Sequence, residues 1–93
     1  MPVLASKVIN LRITHNQVRW TPSRSNDWSR TIVRVVPATG HNATTSSGWL
    51  LAAGRHRTAD LPRLTAGQTY TIIAFSIDKP GNTSPPTKLP FTN

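Results

Sequence analysis

Cysteine and glutamate are absent from this 93-residue sequence, and aspartate occurs only three times, at Asp27, Asp60 and Asp78. Without cysteine there is no disulfide to staple the fold and no thiolate to act as nucleophile or metal ligand. Three carboxylates leave little material for paired acid–base catalysis or for a site holding a hard cation. Long apolar runs are missing too. Trp49 to Ala53 and Ile72 to Phe75 are the longest, and both are far too short to cross a bilayer. The start, Met1 to Lys7, lacks a basic stretch followed by an apolar one, so it does not read as a secretory signal. Three origins fit: a chain kept where it is made, one released by another route such as lysis, or a module cut from a longer secreted protein.

Positive charge is present in excess. Eleven Lys and Arg against three acids give a formal charge of +8. The length suits one domain, spanning residues 1–93. Such a chain buries only roughly 60–65% of its unfolded surface, so its core must be well patterned.

No window carries the 3.6-residue apolar period of a helix; short runs of strict alternation recur instead. Leu11 and Ile13 alternate with Arg12 and Thr14. Val18 and Trp20 alternate with Gln17 and Arg19 beyond a tight His15-Asn16 connection, which predicts an antiparallel hairpin. A polar loop, Ser23 to Ser29, carries Trp28. Thr31 to Val36 is β-branched at nearly every position and stops at Pro37. Trp49 to Ala52 predicts a short strand, Arg55 to Leu61 a weaker one with Ala59 and Leu61 on one face, Tyr70 to Ile77 the clearest, and Thr87 to Thr92 the last. Roughly seven short strands without a helix predict an all-β fold, a seven-stranded antiparallel β-sandwich of immunoglobulin-like type.

Leu64-Thr65-Ala66-Gly67-Gln68-Thr69-Tyr70, leading through Ser76-Ile77-Asp78 to Gly81-Asn82-Thr83-Ser84, resembles the fibronectin type III domain where its chain enters the sixth strand and passes to the seventh. Trp20 before Thr21-Pro22 matches that family's core tryptophan. The resemblance covers essentially the whole chain and is strongest over its last third. It implies that Leu64 plugs one end of the sandwich and that Tyr70 returns its hydroxyl to upstream backbone. Ala66 departs from the family's usual proline, and aliphatics in Ile32-Val33-Arg34-Val35 replace its usual strand-C aromatic. The Gly-Asn-Thr-Ser-Pro-Pro ending resembles bacterial modules of this type in particular. Function follows poorly from fold, because the family serves mainly as spacer, adhesion and protein-interaction modules.

His15, His41 and His56 with the three aspartates form no catalytic or metal-binding motif, and no glycine loop fit to cradle phosphate occurs. The expectation is a protein that is not an enzyme and uses no cofactor or metal. Two surfaces are candidates for interaction. Arg12, Arg19, Arg55 and Arg57 are expected to share one basic face, either a solvated surface or a site for an acidic protein or glycan. Nucleic acid is disfavoured, because Trp20 and Tyr70 read as core rather than as stacking platforms. On the other sheet, Ile32, Val36, Ile73 and Phe75 are expected to point outward as an apolar patch beside Trp49. It is either a docking surface or covered from within by the Trp49 to Ala52 segment. The triplets Asn42-Ala43-Thr44 and Asn82-Thr83-Ser84 fit the glycosylation pattern but carry little weight in Ser/Thr-rich loops without a signal.

The predicted function is thus non-catalytic protein–protein interaction with no membrane insertion. The chain is expected at a virion surface, as a capsid-decoration or tail-surface protein, or outside the cell. The alternative there is a spacer or adhesion module from a secreted bacterial carbohydrate-active or adhesive protein. A third reading has the basic face bind nucleic acid or an anionic glycan.

Overall fold

The computed structural model describes residues 7–22, 28–38 and 44–93. Asp27, His41 and Asn42-Ala43 of the first acceptor triplet lie outside them. Seven strands follow in order: β1 (Ile9–Thr14), β2 (Gln17–Thr21), β3 (Trp28–Pro37), β4 (Trp49–Gly54), β5 (Thr58–Asp60), β6 (Thr69–Asp78) and β7 (Thr87–Thr92). They form two antiparallel sheets, one ordered β1-β2-β5 and the other β4-β3-β6-β7. The predicted all-β sandwich is therefore the observed one.

The sheets meet over one core. Val8, Val18 and Trp20 pack against Val33, Val35, Tyr70, Ile72 and Ala74, all buried. Leu11, Ile13, Ala59, Leu61, Leu64, Leu89 and Phe91 close its margins. These are the inward positions that period-two alternation assigns.

Turn chemistry fixes the register. His15 and Asn16 both have positive φ, 50° and 65°, the pair of conformations that a two-residue hairpin needs to match strand twist. Asn10, also at positive φ, sits where the β1–β2 register shifts, and its amide donates to Thr21 Oγ1 over 3.3 Å. Between β6 and β7, the carboxylate of Asp78 accepts the Asn82 backbone N–H at 2.6 Å and its side-chain amide at 3.0 Å. Ser84 Oγ accepts the N–H of Ser76 at 2.9 Å.

The resemblance's two structural expectations are met. Leu64 packs on the core, and Tyr70 Oη accepts the backbone N–H of Thr65 at 3.0 Å. Tyr70 is buried, so Tyr70→Phe strands that N–H and is expected to cost about 1–3 kcal/mol. Urea unfolding of the two proteins measures this; equal midpoints would show that the hydroxyl contributes nothing.

Several boundaries differ from expectation, β4 among them, which runs on to Gly54. Trp28 begins β3 instead of sitting in a loop, because its Nε1–H donates to Thr31 Oγ1 (3.1 Å) and its ring carries the Arg55 guanidinium at 5.0 Å. β5 is only three residues long, although a bond from Trp20 N–H to Arg57 O (3.2 Å) prolongs its pairing with β2. β6 runs one residue further at each end.

Candidate interaction surface

The basic face assembles only in part. Arg12 lies directly opposite Arg19 on β1 and β2, with Thr58 of β5 beyond. Like charges placed so are destabilising. Their guanidiniums turn apart: Arg12 donates to Asn10 O at 2.9 Å, towards one end of the sheet, and Arg19 to Gln17 Oε1 at 3.1 Å, towards the other. Gln17 in turn donates to Asp60 at 3.2 Å. Arg55 is not on this face. It is drawn to the start of β3, donating to the carbonyls of Ser29 and Trp28, each at 3.2 Å, and lying over the Trp28 ring. Arg57 stands at the end of β5, exposed.

The outward apolar patch needs a larger correction. Val36, Ile73 and Phe75 are buried, at 5%, 0% and 4% exposure, and form a second small core of their own; Ile32 is half-buried. The cause is Arg34. It stands opposite Ile73, and its guanidinium donates from Nε to Ser47 O and from Nη2 to Gly48 O, the latter at 3.0 Å. The segment before β4 is thereby held against the outer face, where Gly48 lies close to Val35 O and Val36 Cγ1. Trp49 to Ala52 does not fold over the patch but pairs beside β3 as β4. Polar substitution of Ile73 or Phe75 would therefore disturb the fold, and these side chains offer no free surface.

Among the described residues, the large apolar side chains that remain exposed are Ile9, Trp49 and Leu50, at 41%, 51% and 53%. The last two are neighbours on β4. Cross-strand partners share a face, so Leu50, opposite Arg34, lies on the outer face of the sheet. Trp49, opposite Val35, lies on the inner face at the strand's end, with its ring 6.5 Å from that of Tyr70. β4 is also terminal in its sheet, so every second N–H and C=O along it points away from β3. Sequence reasoning singled out Trp49 but missed Leu50. The missed signal was the makeup of the segment Trp49–Gly54, which holds no charge and no proline.

No family model matches this sequence, and neither does any curated protein. Among solved structures, the spore cortex lytic enzyme SleM of Clostridium perfringens superposes with a TM-score of 0.64 at 19% identity, over 99% of this chain and 28% of that one. The twitchin kinase region from C. elegans, a chain containing fibronectin and immunoglobulin modules, gives 0.61 at 20% identity, over 97% and 17%. Both likenesses are of fold alone. They fit a sandwich of fibronectin type III or immunoglobulin kind, and this chain spans less than a third of either neighbour's length.

Other parts of the surface offer less. A cleft of about 300 Å3 at one end of the sandwich is lined by Asn16, Leu61, Pro62, Arg63, Leu64 and Asn93, with no side-chain carboxylate, hydroxyl or imidazole to do chemistry. Among the described residues, no three His, Cys, Asp or Glu side chains gather as metal ligands.

Proposed function

We propose that this β-sandwich is a non-catalytic module that works by docking on other protein, as one component of a larger surface assembly. The observation that carries the reading is β4: a strand that is terminal in its sheet among the described residues and bears two half-exposed large apolar side chains, Trp49 and Leu50. Monomeric domains usually blunt such an edge, and large apolar side chains grouped on one element mark interaction sites. A phage virion, with the chain as a decoration or tail-surface protein, is the setting proposed first. The shared fold with a 28% portion of a longer bacterial enzyme favours a second setting, a spacer or adhesion module within a secreted bacterial protein. A gene neighbourhood of virion genes, as against a long extracellular reading frame, separates the two.

The test is retention on the assembly. A chain carrying Trp49→Thr and Leu50→Thr is expected to keep its circular dichroism spectrum yet fail to co-sediment with virions or with the parent assembly. Arg12→Gln with Arg19→Gln is expected to be retained like the wild type. Full retention of the β4 variant would reject the site.

A further inference from the structure

We propose that β4 accepts an extended, acidic segment of a partner protein, which adds to the four-stranded sheet as a fifth strand beyond β4. This rests on the interaction-module reading above and names the partner's chemistry and its mode of binding.

The first support is the contrast among the four sheet edges. β7, the far edge of the same sheet, carries Lys88 and Pro90, and proline has no N–H to offer a new strand. β1 is interrupted by the register shift at Asn10 and bears Arg12. β5 is three residues long and contains Asp60. Charge, proline, irregularity and shortness are the devices by which sheets discourage pairing. β4 is six residues long and has neither charge nor proline; a register shift against β3 at Leu51 is the one such device it carries. It is the least protected of the four edges.

The second is the placement of the apolar side chains. Alternate side chains of an added strand lie over the two faces of the sheet. Leu50 on the outer face and Trp49 on the inner one provide an anchor for each set. Strand addition draws affinity from main-chain bonds and specificity from such alternating contacts.

The third is charge. Arg34 stands beside Leu50, and Arg55 directly follows the last residue of β4. Their bonds to the carbonyls of Ser47, Gly48, Ser29 and Trp28 hold them in place without cancelling either charge. The two acids among the described residues, Asp60 and Asp78, are engaged elsewhere, with Gln17 and Asn82. A second copy of this chain would bring a further formal charge of +8 to the edge, so like charge opposes self-pairing. An acidic segment is complementary instead, and attraction that depends on exposed charge weakens with salt.

The experiment uses the intact chain as bait for a random displayed library of peptides about ten residues long, the upper length of an ordinary strand. Enriched peptides are synthesised, and the backbone amides they protect from hydrogen exchange are mapped. Expected are sequences with Asp or Glu at alternate positions, protection confined to residues 49–54, and binding that falls as salt rises. Leu50→Glu, which removes the outer-face anchor and sets like charge against the acidic segment, is expected to weaken binding by about tenfold or more. Ala53→Glu, at another exposed position of the same strand, serves as a second variant should the first perturb the fold.

Enriched peptides without acidic residues, or protection on the outer face of β1 and β2, would overturn this inference and leave the interaction-module reading standing. Unchanged affinity in both glutamate variants would overturn it as well. So would concentration-dependent protection of β4 without peptide, which would make a second copy the occupant. A library yielding no binder also overturns it; the retention experiment then decides the broader reading independently.

Discussion

Gly48→Ala is expected to destabilise the domain by about 2–5 kcal/mol, from left-handed backbone strain of ~1–2 and steric overpacking of ~1–3. Gly48 has a φ of +63°, and a Cβ there would stand 2.1 Å from Val35 O and 2.7 Å from Val36 Cγ1. The nearer obstacle is backbone within β3 and cannot rotate away. Against a total stability of about 5–15 kcal/mol, such a loss brings a small domain close to unfolding. Relief by movement is costly too. Shifting the segment outward takes the Ser47 and Gly48 carbonyls from Arg34 and the cover from Val36, and it loosens the start of β4. Gly67→Ala is the control, since φ is +80° there but nothing lies within 4 Å of the added Cβ. It should show the strain alone, about 1–2 kcal/mol. Chemical denaturation of both variants measures the difference. Equal losses would mean that the close packing against β3 does not persist in solution.

The second large effect concerns Trp20, whose two truncations should differ sharply. Trp20→Ala removes a side chain at 3% exposure from the middle of the core and is expected to cost about 3–5 kcal/mol. Trp20→Phe should cost less than half as much. The indole Nε1 is buried without a hydrogen-bond partner, a burden on the folded state of about 1–3 kcal/mol that phenylalanine does not carry. Part of the lost packing is offset by losing that polar atom. Urea titrations of the three proteins decide it. A phenylalanine variant as unstable as the alanine one would mean that the N–H finds a partner in solution.

Much of the fold was legible because a sandwich strand writes its burial into alternate residues. Val18 and Trp20 alternate with polar neighbours and are buried, and Tyr70 is buried as the family resemblance implies. His15-Asn16 marked its turn through residue types that tolerate positive φ. The outer face was misread for the same reason that the inner face was read well. Alternation tells which face a side chain takes but not whether another segment comes down upon it. Arg34 reaching Ser47 and Gly48, some thirteen residues ahead, is a tertiary contact with no periodic signature. Arg55 was assigned to the three-stranded sheet by its nearness in sequence to β5. Its stacking on Trp28, 27 residues earlier, took it to the other sheet. The open edge was legible in principle, since Trp49–Gly54 and Thr87–Thr92 differ in charge and proline, but only the strand order shows that both are edges.

The proline and lysine of β7 carry a consequence for self-assembly. A sheet able to recruit strands at both margins can polymerise, each newcomer offering a fresh margin to the next. With Lys88 and Pro90 on β7, copies of this domain lack a matched pair of margins, so they cannot link sheet to sheet, β7 of one against β4 of the next, into an unending array.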